Sequence, residues 1–101
     1  EGLGAIAGMR DLQVLNLDYA GIDAKELAAI EGLPKLRELS LDSADIGDES
    51  VGVLSSLPNL KVLNVYHTLL TEKGIAAIQA ARPDCRILWQ RESSQKDRRK
   101  T

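Results

Sequence analysis

One histidine, one cysteine and no phenylalanine leave this 101-residue chain few side chains able to do chemistry. Ser43, His67 and Glu92 recur at steps of 24 and 25 residues. On neighbouring strands that spacing lines them up about 5 Å apart, in a serine–histidine–acid order. A nucleophilic row of this kind needs a strained nucleophile turn and donors for an oxyanion; geometry defines it, not residue type. The sequence supplies neither, so the row is expected to be non-catalytic. One His and one Cys make no metal-ligand cluster. Gly2, Gly4 and Gly8 follow no strand and are spaced wrongly for a dinucleotide loop. The expectation is no enzyme, no cofactor and no metal.

The element that would position such a row is a repeat. Leu12–Leu17 reads L-Q-V-L-N-L, Leu36–Leu41 reads L-R-E-L-S-L, and Leu60–Val65 reads L-K-V-L-N-V, each 24 residues from the last. Cys85–Gln90, C-R-I-L-W-Q, is a weaker copy after a step of 25, because Ala80–Asp84 carries one extra residue. In each copy the first, fourth and sixth residues are apolar, the pattern of a strand with one buried face. Ala20 with Ile22, Ala44 with Ile46, and Thr68 with Leu70 continue inward through a turn. Asp23-Ala-Lys-Glu26 reads as a capping box, the Asp accepting from an orphan helical N–H and the Glu reaching back. Leu27, Ile30 and Leu33 then form one stripe of a short helix, ended by Gly32 and Pro34. Val51, Leu54 and Leu57 repeat the stripe before Pro58, and Ile75 and Ile78 repeat it again. Leu3, Ile6 and Met9 match the helical half of a further unit whose strand is missing, which reads as part of a longer array.

A fixed period of this length with L-x-x-L-x-L in each unit resembles the leucine-rich-repeat family. The resemblance implies an α/β solenoid, a short right-handed superhelix with parallel strands on the concave face and short helices on the convex face. It divides the chain into a repeat domain over 1–91 and a charged tail over 92–101. The domain holds a partial repeat 1–11, repeats 12–35, 36–59 and 60–84, and a terminal half-repeat 85–91. Thr68-x-Leu70-Thr71-Glu72-x-Gly74-Ile75 looks like the long bacterial arrays. Pro83-Asp84-Cys85 looks like the P-x-C ending of the ribonuclease-inhibitor and F-box-associated classes. The turn asparagine of many relatives is replaced by Ala20, Ala44 and Thr68, so an asparagine ladder is not expected. The family implies a protein-binding scaffold that uses its concave strands.

Alternation assigns the outward side chains. The third strand positions are Val14, Glu38, Val62 and Ile87; the fifth are Asn16, Ser40, Asn64 and Trp89. The seventh are Asp18, Asp42, Tyr66 and Arg91; the eighth are Tyr19, Ser43, His67 and Glu92. All three aromatics of the chain fall in these columns, and aromatics on a surface are where binding anchors concentrate. Val62, Tyr66 and Trp89, with His67 beside them, are the expected anchors, while Asp18, Glu38 and Asp42 make the N-terminal strands acidic. Against this, Trp89 also stands where a solenoid needs its end covered, Val14 and Val62 are ordinary strand formers, and Asp18 and Asp42 read equally as solvated carboxylates. Cys85 replaces an inward Leu and reads as a small buried hydrophobe.

Four strands about 4.8 Å apart make a face of only a few hundred square ångströms, against about 800 Å² per partner in a standard interface. The face suits a peptide, or one part of a larger surface. Residues 1–90 carry 8 Lys/Arg and 13 Asp/Glu, whereas 91–101 carry 5 and 2. The basic tail raises an alternative, association with anionic lipid or nucleic acid, which Glu92, Asp97 and the lack of a stacking aromatic weaken. No run is long enough to span a bilayer. Neither compartment nor partner identity is written in the sequence.

Overall fold

The computed structural model describes residues 4–90. Four three-residue strands, β1 (Val14–Asn16), β2 (Glu38–Ser40), β3 (Val62–Asn64) and β4 (Arg86–Leu88), form one parallel sheet in sequence order. Between them run α1 (Ala24–Leu27), α2 (Val51–Ser55) and α3 (Glu72–Ala81), the first two extended by single 3-10 turns. The architecture is α/β, with short helices connecting adjacent parallel strands. Register advances by 24 residues at every step, Val14 to Glu38 to Val62 to Arg86.

Local chemistry explains the short strands. Asn16 and Asn64 each accept a hydrogen bond from the N–H two residues on, at 2.9 and 3.0 Å, and turn the chain out of the strand. Tyr19, Ser43 and His67 follow with φ of 58, 66 and 60°, left-handed backbone unusual for residues with a Cβ. The first two are held there by lateral bonds, Tyr19 N–H to the Asp42 carbonyl at 3.0 Å and Ser43 N–H to the Tyr66 carbonyl at 2.9 Å. The Asp23–Glu26 capping box opens α1 as the sequence predicts, both bonds present. Thr71 caps α3 through the Gly74 N–H.

Leu39, Leu41, Leu63 and Val65 of the strand segments are buried against Leu27, Ile30, Leu54, Leu57 and Ile78 of the helical segments. This single slab is the core, and it matches the inward positions read from the repeat. Thr68 is buried in the middle of it, its hydroxyl donating to the Val65 carbonyl and accepting from the Leu70 N–H.

Three expectations are corrected. Ala20 is exposed, whereas its counterpart Ala44 is fully buried. Met9 is 50% exposed, unlike its counterpart Leu33. Both lie beside β1, which has a paired strand on one side only, so no further unit among the described residues covers them. The third correction concerns β4. The step of 25 puts Ile87 and Trp89 on the outward face, but Arg86 pairs with Val62, Ile87 with Leu63 and Leu88 with Asn64. Ile87 and Trp89 therefore point to the core side and pack against it. The extra residue is absorbed before the ladder. Cys85 is buried as Leu60 is, yet the first ladder residue is one position away from Cys85 and two from Leu60. A one-residue slip exchanges the faces of a strand. The slipped register would bury the Gln90 amide, and the observed one buries much of the Trp89 indole instead.

Candidate functional site

The outward side chains of the sheet lie in lateral rows. Val14, Glu38, Val62 and Arg86 form one; Asn16, Ser40, Asn64 and Leu88 form the next. Val14 is 52% exposed, and Val62, Ser40 and Asn64 are half-buried. Between the first three strands lies a shallow hollow lined by Val14, Leu15, Asn16, Glu38, Leu39, Ser40 and Val62. Ile87 and Trp89 are not part of this face. Arg86 and Leu88 replace them, and the polar residues Arg86 and Gln90, which fall on the same alternate positions of C-R-I-L-W-Q, were the signal that could have found this.

Past the strands, backbone bonding keeps Asp18, Asp42 and Tyr66 side by side. Here the side chains build a network that the repeat pattern did not disclose. Asp18 Oδ1 accepts from the Ser40 hydroxyl at 2.6 Å and from the Asp42 N–H at 2.8 Å. Asp42 Oδ1 accepts from the Ser43 hydroxyl at 2.9 Å and meets His67 Nδ1 at 2.9 Å. The two carboxylates are not merely solvated, since the Asp42 side chain is only 15% exposed and His67 35%. They stitch each turn to the next, in place of the asparagine ladder whose positions hold alanine and threonine. Tyr66 and His67 lie with ring centroids 6.1 Å apart and tilted at 43°.

The Ser43–His67 pair does not form a nucleophile–base contact. Both side chains address the same oxygen of Asp42. Glu92 and Arg91 lie outside the described residues, as does the charged tail 92–101 with its lipid or nucleic-acid alternative. Cys85 is buried, and that burial raises its thiol pKa, opposed by the nearby charges of Lys61 and Arg82. Among the described residues no group of three or more His, Cys, Asp or Glu could hold a metal ion. No helix of the described residues is long and apolar enough to cross a membrane.

No family model matches this chain, and no curated protein matches it. Among solved structures it is similar to a tropomodulin C-terminal domain from Caenorhabditis elegans, with a TM-score of 0.65 at 17% identity. The match covers 86% of this chain and 59% of that one. An identity this low shows a shared fold alone, and the chain spans little more than half the length of the domain it resembles.

Proposed function

We propose that this chain is a non-catalytic protein-interaction module, a leucine-rich-repeat solenoid that binds a protein or peptide across its strands. The observation that carries the reading is one continuous outward face on four in-register strands, combining half-exposed apolar residues with ordered polar ones. Interaction surfaces mix these chemistries, with aromatic residues supplying the largest energies. Val62, Asn64, Tyr66 and His67 form its centre, flanked by Val14, Asn16, Glu38 and Ser40. The likeness in fold to the tropomodulin domain is compatible with such a module. A peptide is the occupant that suits a face this small.

A displayed peptide library selected on the full chain tests this. Enriched peptides should lose binding at least about tenfold with Val62→Asp or Tyr66→Ala, and keep it with Ala77→Asp on the exposed side of α3, since truncating an interface anchor typically costs more than 1 kcal/mol. The reverse pattern would move the function to the helical side.

A further inference from the structure

We infer that the Asp18–Asp42–Tyr66 row receives an arginine side chain from an extended segment of the partner. This rests on the sheet-face reading above and names the chemistry that face selects. The three residues follow one another laterally at about the strand spacing of 4.8 Å, held by the Tyr19–Asp42 and Ser43–Tyr66 backbone bonds. Each carboxylate is fixed in advance. Asp18 is held by Ser40 and the Asp42 N–H, and Asp42 by Ser43 and His67, in both cases through Oδ1. Oδ2 of each makes no hydrogen bond among the described residues. No lysine or arginine among them pairs with either aspartate. Two carboxylate edges are thus ordered, half-buried and still able to accept, and a ligand that uses them is spared the entropy of ordering them.

A cation complements this charge, and the arrangement distinguishes among cations. Guanidinium is planar, with five N–H donors in a fork, so it can bridge two carboxylates side by side; an ammonium is a compact point charge. The next member of the row is the Tyr66 ring, and aromatic faces attract and stack guanidinium. Val14 and Val62 flank the hollow beside the row, an apolar seat for a residue two positions from the arginine, because alternate side chains of an extended segment share a face. The occupant is therefore an extended segment with an arginine and an apolar residue two positions apart, whose alternate side chains meet the face together.

The test is an NMR titration of the isotopically labelled full chain with acetyl-Val-Ser-Arg-Ser-Val-amide, its lysine counterpart, and its neutral citrulline counterpart. Shifts should saturate at Asp42, Ser43 and Tyr66, with a Kd at least about tenfold lower for arginine than for citrulline and lysine between them; charge-assisted bonds are about twice as strong as neutral ones. The double variant Asp18→Asn, Asp42→Asn keeps both acceptor oxygens for the internal bonds and should lose that preference while its own spectrum stays folded. Equal binding of arginine and citrulline peptides at the same amides would overturn the arginine assignment and leave the sheet face as the binding surface. Shifts confined to the helices would overturn both. If face shifts appear only after Arg98→Gln and Arg99→Gln in the tail, the chain's own tail is the occupant and the assignment to a partner falls.

Discussion

Gly74→Ala sets a helix-favouring change against an inter-repeat clamp, and the clamp should win. Gly74 lies in the first turn of α3, where alanine gains up to about 1 kcal/mol in helix propensity. However, a Cβ there would run into Oδ1 of Asp48 and lie 2.8 Å from its Cγ. Asp48 belongs to the preceding unit, and its carboxylate accepts from the Thr71 N–H at 3.0 Å and the Thr71 hydroxyl at 2.6 Å. It is a short side chain held at both oxygens, so it cannot move aside and keep those bonds. Losing two bonds to a charged acceptor at a partly exposed site costs about 2–3 kcal/mol, at roughly 1–1.5 each. The net is about 1–2 kcal/mol of destabilisation, or a Tm lower by roughly 5–15 °C in a domain of this size. In an Asp48→Ala background the obstacle is gone, and the same substitution should stabilise by about 0.5–1 kcal/mol. Urea unfolding followed by circular dichroism on the four proteins of this cycle measures both signs. Stabilisation by Gly74→Ala in the native background, or the same effect in both backgrounds, would refute the clamp.

Leu39 is 1% exposed at the centre of the sheet, and Leu39→Ala should cost about 2–5 kcal/mol, enough to unfold much of so small a domain; an unchanged melting curve would contradict the register. Trp89→Ala should lower stability by about 2 kcal/mol, less than a fully buried Trp because the ring is only partly covered, and should leave peptide affinity within about twofold, which separates end-packing from binding. Cys85 should react with iodoacetamide at pH 8 at least about a hundredfold more slowly in the folded chain than in urea, because burial disfavours the thiolate. By linkage, its raised pKa contributes stability below the unfolded thiol's pKa. That contribution is lost as pH rises above about 8.5, since the unfolded chain releases the proton first. Rapid labelling under native conditions would show that the last strand opens.

The sequence by itself determined the period, the inward residues of the central units, the capping box and the parallel α/β order. These follow from apolar spacing and local hydrogen bonding, which act over a few residues and leave a direct trace in the chain. Leu39, Leu63 and Ile30 could be assigned to the core because a helical stripe and a strand face have different periods. What the tertiary structure decided lies where units meet. The face presented by Ile87 and Trp89 depended on where one extra residue was absorbed, and only the ladder with β3 fixed that. Asp18 and Asp42 read equally as solvated acids because the partners of Asp18, and the His67 partner of Asp42, lie about 22 to 25 residues away, on the neighbouring unit. Ala20 and Met9 share the pattern of buried counterparts, but no further unit among the described residues covers them. Burial and pairing between repeats are properties of the stack, and a single repeat read alone carries no record of them.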